Sequence, residues 1–256
     1  MKVLNDNSIV FQSGRRSGTS SEVTVIVPLY NYEIYVAEAL ESMKSQTVLN
    51  LSIVIVNDCS TDSSEAVALK WLKKNEDRFH QCLLVRNAFN YGLATTRNIG
   101  LSHVTSEFVF MLDADNIAYP SAIEKLLKAC RQAKAQGAYS QLEIFGDAQD
   151  VGFAFTWSKQ SFMRGNYVDA MALLRTSALR AVGGYDLFEV AGWEDYDVWC
   201  KFVDMGYEAV FVPQILCRYR VHDKSMLRSH TNDRTADVSV EIVARHPWIE
   251  LCPVGK

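Results

Sequence analysis

The sequence has little that would staple it together or carry it through a membrane. Its six cysteines (Cys59, Cys82, Cys130, Cys200, Cys217, Cys252) are widely spaced, with no Cys-x-x-Cys pair. That argues against thiolate metal clusters and disulfide frameworks and fits a reducing cytosol. The longest stretch free of Asp, Glu, Lys and Arg, Ser45 to Asn57, is 13 residues, short of the roughly 17–25 that span a bilayer. Met1 to Val10 has no long apolar core and does not read as a signal peptide. Positive charge is not in excess either: 26 Lys+Arg against 30 Asp+Glu leave a net −4, which argues against a nucleic-acid partner held by phosphate neutralisation. There is no Gly-x-x-x-x-Gly-Lys-Ser/Thr loop, no Gly-x-Gly-x-x-Gly fingerprint and no Gly-x-Ser-x-Gly elbow. P-loop hydrolysis, Rossmann-type nicotinamide binding and α/β-hydrolase chemistry are therefore disfavoured.

What is present is ample core material. With 256 residues, 48% hydrophobic and 22% charged, the chain suits one large domain or two closely packed halves. Asn5 to Glu22 reads as a polar, flexible leader, so the fold is expected to begin near Val23. Val23–Val27 is a β-branched run closed by Pro28, and Tyr35, Val36, Ala39, Leu40 and Met43 then recur at helical spacing. The alternation continues with strands at Leu51–Val56, Cys82–Val85 and Phe108–Leu112, and helices around Ala66–Trp71 and Leu93–Ser102. Strands alternating with helices imply parallel β-α-β units with right-handed crossovers, a doubly wound α/β half. Beyond it we expect a helix at Ser121–Lys134 and strands at Tyr139–Ile144 and Met171–Leu174. A helix at Asp195–Asp204 and a strand at Ala209–Val212, stopped by Pro213, complete the reading.

Ligands of such sheets bind beyond the carboxyl ends of the strands, and Asp58, Asp113 and Asp115 fall there. Asp113-Ala-Asp115 places two carboxylates beside each other just past a buried strand, where a hard divalent ion with oxygen ligands would relieve their repulsion; an acidic capping turn is the alternative. Trp193-Glu194-Asp195-Tyr196-Asp197 sets three acids among aromatics, where one could sit in a partly desolvated cleft suited to proton abstraction. It also reads as the acid-rich first turn of a helix. His222 follows a strand and could complete a two-carboxylate metal site or be structural. Arg97 could meet phosphate oxygens or lie on a solvated helix face.

Taken in order, these pieces resemble the inverting family 2 glycosyltransferases with a GT-A fold. The carrying segments are Val25-Ile-Val-Pro-Leu-Tyr-Asn31, Ile55-Val-Asn-Asp-Cys-Ser-Thr-Asp62, Asn90-Tyr-Gly-Leu-Ala-Thr-Thr-Arg-Asn-Ile-Gly100 and Phe110-Met-Leu-Asp-Ala-Asp115. They continue through Gly183-Gly-Tyr-Asp186, Glu194-Asp-Tyr-Asp-Val-Trp199 and Tyr219-Arg-Val-His222. The resemblance covers about Val23 to Ser229. It implies a Rossmann-like mixed sheet flanked by helices, with a nucleotide-binding half at 23–118, an acceptor-binding half at 119–229, a flexible leader at 1–22 and a C-terminal extension at 230–256.

The resemblance also implies roles. Pro28, Tyr30 and Asp58 match the nucleotide-base pocket, Arg97 a basic residue near base and diphosphate, Asp113 the ribose and metal-bound water, and Asp115 a ligand of Mn²⁺ or Mg²⁺. His222 matches a position that completes the metal shell or contacts diphosphate, and Asp195 matches the catalytic base. Asn166 and Asp169, with Glu194 and Trp193, fall where donor-sugar contacts occur, although turn roles fit Asn166 and Asp169 equally well. Phe153, Phe155, Trp157 and Trp193 are either an apolar wall for an acceptor sugar or lipid, or core. The implied activity is metal-dependent, inverting transfer from a nucleotide-diphosphate sugar, UDP-linked by preference, to a carbohydrate or glycolipid acceptor. The implied place is the cytoplasm, with peripheral attachment at the inner membrane face open. The alternatives are a sugar-nucleotide-binding module without transfer and a sugar-1-phosphate nucleotidyltransferase; the latter usually wants a glycine-rich basic loop where Pro28-Leu-Tyr-Asn31 stands.

Overall fold

A computed structural model describes residues 6–14, 20–189, 192–223 and 235–251. Its strands are β1 (Asn7–Gly14), β2 (Val23–Leu29), β3 (Leu51–Asn57), β4 (Gln81–Asn87), β5 (Phe108–Met111), β6 (Ile117–Ala118), β7 (Gly137–Gly146), β8 (Asp150–Val151), β9 (Leu173–Arg175) and β10 (Ala209–Val221). Its helices are α1 (Val36–Lys44), α2 (Ser64–Asn75), α3 (Leu93–Ser102), α4 (Ala122–Ala133), α5 (Lys159–Phe162), α6 (Thr176–Ala181), α7 (Glu194–Asp204) and α8 (Thr235–Arg245). All the strands join one sheet in the order β1-β4-β3-β2-β5-β9-β7-β10-β6, with β8 hydrogen-bonded to β7. The nucleotide and acceptor halves expected from the sequence therefore share a continuous backbone ladder.

The central strands are apolar on both faces because both faces are covered. Along β5, Phe108 and Phe110 point into one core with α1, α2 and α4. Val109 and Met111 point into the other, with α3, α6, α7 and α8. Helix α3 lies close against β2, since a Cβ on Gly100 would come within 2.6 Å of Ile26 Cγ2.

Two expectations need correction. Residues 7–14 are no flexible leader: β1 pairs antiparallel with β4, and Val10 and Phe11 pack against the core. Asn7, Ser8, Gln12 and Ser13 made it look loop-like, but an edge strand is held by backbone hydrogen bonds and tolerates polar side chains on its open side. Pro213 does not stop the last strand, which runs on to Val221; register shifts fall between Val212 and Cys217, and a residue without an N–H sits without loss in such a bulge. The C-terminal extension packs on the domain, with Ile242 and Ile249 buried in the second core.

That C-terminal segment holds the back of α7. His246 is buried, with Nε2 3.1 Å from Asp197 Oδ1 and Nδ1 2.6 Å from Asp204 Oδ2. Lys201, Arg245, Asp186 and Glu241 complete the charged surroundings. Burial opposes protonation of His246, but the hydrogen bonds to Asp197 and Asp204 outweigh it and raise its pKa. A raised folded-state pKa means the stabilisation is complete below the unfolded histidine value of about 6.5 and is lost as pH rises through the folded value. We therefore expect the stability gap between wild type and His246→Gln, measured by urea unfolding, to shrink from about pH 6 to about pH 9. A gap that grows over that range would contradict the assignment.

Candidate active site

Strand direction decides where the site forms. β2, β3 and β5 are parallel, β9 runs against both β5 and β7, and β10 is parallel to β7. The carboxyl ends of β2, β3, β5 and β10 thus share one edge, and Pro28, Asp58, Asp113, Asp115 and His222 all arrive there.

The β2–α1 and β3–α2 loops are tied into one wall. The Asp58 N–H donates to Leu29 O at 2.8 Å, Asn31 N–H to Ser60 Oγ at 3.1 Å, and Thr61 N–H to Asn31 Oδ1 at 2.8 Å. Asn31 and Cys59 adopt left-handed backbone conformations, φ 57° and 61°. Tyr30 projects from this wall with 42% of its surface exposed, while Pro28 is buried within β2. The Asp58 carboxylate accepts from Asn87 Nδ2 (2.7 Å) and from the N–H groups of Tyr91 and Gly92 (2.9 Å each). Three donors engage it already, leaving about one of its roughly four acceptor positions open to a ligand.

Arg97, on α3, bridges the two halves. Its side chain is 3% exposed; Nη2 donates to Asp113 Oδ1 at 2.8 Å and Nη1 to Glu194 Oε1 at 3.1 Å. The Tyr185 ring lies 5.2 Å from the guanidinium carbon. Burial opposes the charge on Arg97, but Asp113 and Glu194 overcome this and raise its pKa. The guanidinium thus faces carboxylates, not an open phosphate cleft.

Asp115 pairs with His222. Its Oδ2 is 3.0 Å from His222 Nε2, and the Tyr32 ring stands edge-on to the His222 ring at 5.8 Å. Burial, with Asp113 adding to it, pushes its pKa up against the pull of His222. The His222 ring lies 4.7 Å from Tyr35, and its Nδ1 is buried without a hydrogen-bond partner among the described residues. Arg220, which drew no role from the sequence, pins this corner. Its Nε donates to Asp115 O at 2.8 Å and its N–H to Asn116 Oδ1 at 2.8 Å. The signal was there: in a strand, residues two apart share a face, so Arg220 and His222 go together.

No group of three or more potential metal ligands occurs among the described residues. Asp115 and His222 nevertheless fit an ion held by few protein ligands. A carboxylate and an imidazole side by side are donors that Mn²⁺ or Mg²⁺ takes together with waters and phosphate oxygens.

Across the cleft, α7 begins with Trp193 in a left-handed conformation, φ 62°, unusual for so bulky a residue and a mark of local strain at a functional turn. Glu194 points inward to Arg97, and Asp195 is partly buried. Asp195 Oδ2 accepts from Asn166 Nδ2 at 3.0 Å and Oδ1 from Tyr196 N–H at 2.8 Å. Burial outweighs these bonds and the pull of Arg97, so its pKa is raised; burial also raises that of Glu194. Asn166 is thus an orienting partner of Asp195. Asp169, bonded to Met171 N–H at 2.8 Å, is pushed up to about 7 by burial, with Asp113 and Asp195 adding to the effect. Of the aromatics, Trp157 packs on Phe162 and Trp199 and Trp193 on Tyr196, whereas Phe153 and Phe155 are exposed.

Residues 24–188 match the family model described as glycosyl transferase family 2. The chain belongs to that family. An uncharacterized glycosyltransferase of Haemophilus influenzae is 28% identical over 233 residues, 84% of this chain and 70% of the relative. Among solved structures, S. aureus TarS 1-349 in complex with UDP-GlcNAc superposes with a TM-score of 0.68 at 19% identity, over 81% of this chain and 61% of that one. The mannosyltransferase PcManGT of Pyrobaculum calidifontis, in complex with GDP-Man and Mn²⁺, gives 0.68 at 21% identity, over 92% and 67%. These likenesses agree with the GT-A fold. In this family 2 chain, Arg97→Met would leave Glu194 and Asp113 without their cation. We expect a loss near the lower end of about 3–5 kcal/mol in urea unfolding, since Asp113 keeps 25% exposure; a change within about 0.5 kcal/mol would refute the bridging role.

Proposed function

We propose that this family 2 glycosyltransferase moves a sugar from a nucleoside-diphosphate sugar, UDP-linked by preference, to an acceptor hydroxyl of a carbohydrate or glycolipid, inverting the anomeric configuration. The observation that carries the reading is Asp195: a carboxylate of raised pKa, held by Asn166 and the Tyr196 N–H and close to Arg97 and Asp113. A base whose pKa approaches the working pH is suited to take a proton in the transition state. The acceptor oxygen attacks the anomeric carbon opposite the diphosphate while Asp195 removes its proton. The bond to diphosphate breaks with its electron pair leaving on the nucleotide, and one displacement inverts the centre.

Tyr30 offers an aromatic face to the base, and Asp58 one remaining acceptor position for its imide N–H. Asp115 and His222, with Asp113 beside them, would hold Mn²⁺ or Mg²⁺, which when bound supplies Lewis-acid stabilisation of the departing diphosphate. Asp169, pushed up to about 7 by burial, can donate to a sugar hydroxyl in its protonated form, with Trp193 as a further sugar contact; Glu194 stays on Arg97. We place the reaction in polysaccharide or glycoconjugate synthesis at the cytoplasmic side. No helix among the described residues is long and apolar enough to cross a membrane.

A screen of UDP- and GDP-sugars for hydrolysis with Mn²⁺ present should reveal one preferred donor, with turnover lost on chelation and restored by Mn²⁺ or Mg²⁺. Asp195→Asn should cut transfer about 10²–10⁴-fold while calorimetric UDP affinity stays within a few-fold. Wild-type turnover in that variant would sink the base assignment. The acid limb of kcat/KM should lie above the ordinary carboxylate range of about 4, because burial raises Asp195.

A further inference from the structure

Residues 150–156 carry an inverted pattern. The segment follows β7 and is anchored to it: Gly152 N–H donates to Leu142 O at 3.0 Å, Ala154 N–H to Gln141 Oε1 at 3.0 Å, and the Tyr139 hydroxyl to Phe155 O. Along this extended stretch the inward positions are Gly152 and Ala154. The outward ones are Val151, Phe153 and Phe155, exposed by 53%, 70% and 53%. A strand-like segment normally turns its large apolar residues inward; an exposed apolar row held in place by the sheet marks a surface that binds something.

The row has a definite neighbour. Phe153 and Phe155, rings 6.3 Å apart, form one side of an open groove of about 380 Å³ whose other side carries Gln160, Arg164, Asn166 and Tyr167. Asn166 is also the side chain that donates to Asp195 at 3.0 Å, so one wall of the groove touches the base. Its walls combine two flat aromatic faces with an amide, a hydroxyl-bearing turn and a guanidinium. That mixture suits a molecule with apolar ring faces and polar edges, and suits an acyl chain poorly.

We propose, building on the glycosyl-transfer reading above, that this groove is the acceptor site and that its occupant is a glycan, one pyranose ring lying on Phe153 and Phe155. Gln160 and Arg164 donate to its hydroxyls, and the hydroxyl beyond is delivered to Asp195. Phe153 and Phe155 are specificity residues for the acceptor; neither touches the donor.

The test uses methyl α- and β-glycosides of common hexoses and N-acetylhexosamines as probes, which carry no aromatic aglycone of their own. Saturation-transfer NMR on the full chain with UDP and Mn²⁺ should show transfer to the ring protons of at least one glycoside. The signal should vanish in Phe153→Ala/Phe155→Ala and return in Phe153→Tyr/Phe155→Tyr, with calorimetric UDP binding reporting an intact fold. In transfer assays with that glycoside, the alanine pair should raise the acceptor KM about tenfold, with kcat little changed. No binding of any glycoside to wild type, or equal binding to the alanine pair, overturns the proposal. So does vesicle binding that depends on the two phenylalanines while glycoside binding does not, an outcome that makes the row a membrane contact. Glycoside binding without hydrolysis of any nucleotide sugar would instead count against the glycosyl-transfer reading and leave the groove assigned.

Discussion

One buried guanidinium organises this molecule. Arg97 holds Asp113 at the end of β5 and Glu194 at the start of α7, and so joins the strand that ends in the Asp-Ala-Asp turn to the helix that carries Asp195. Two buried charges and a partly buried one are costly apart and tolerable together, because their attraction offsets the desolvation penalty only in one arrangement. The distance across the cleft is therefore set by a charge requirement, not by loop length alone.

Other contacts serve that arrangement from behind. The clamp of Asn98 on Tyr185, with Nδ2 2.6 Å from Tyr185 O and Oδ1 2.9 Å from its N–H, fixes the loop that runs towards α7. A side chain at Gly184 would collide with Asn98 Oδ1, at 2.4 Å, in a left-handed backbone, so glycine is needed there. On the far side, His246 and Lys201 hold Asp197. Helix α7 is thus gripped at both ends of its first turns, consistent with Trp193 remaining in a strained conformation.

Much of the α/β order was legible in the chain. β-branched runs and helical spacing placed β2, α1, β3, α2, β4, α3 and β5 close to their observed bounds, since buried parallel strands leave dense apolar signatures. β1, β6 and β8 were not legible: they are short or polar edge elements held by backbone bonds, which leave little trace in side-chain pattern. The short α5 and α6 and the late α8 also escaped. Pro213 misled because a bulge removes the usual objection to proline in a strand. In the site, Asp58, Asp113, Asp115, Asp195 and His222 stood out as carboxylates and an imidazole next to strand or helix ends. Arg220 and Tyr32 did not, because what they do depends on partners remote in sequence.

By itself, then, the sequence determined the chemical inventory, the α/β alternation and the family, because those reside in residue type and local spacing. Tertiary structure alone decided that Asp115 faces His222, that Arg97 is a bridge between halves, that Asn166 serves Asp195, and that Phe153 and Phe155 look outward beside it. Each of these depends on pairings between segments tens of residues apart, set by strand direction and by which buried charges must meet, and no local pattern encodes them.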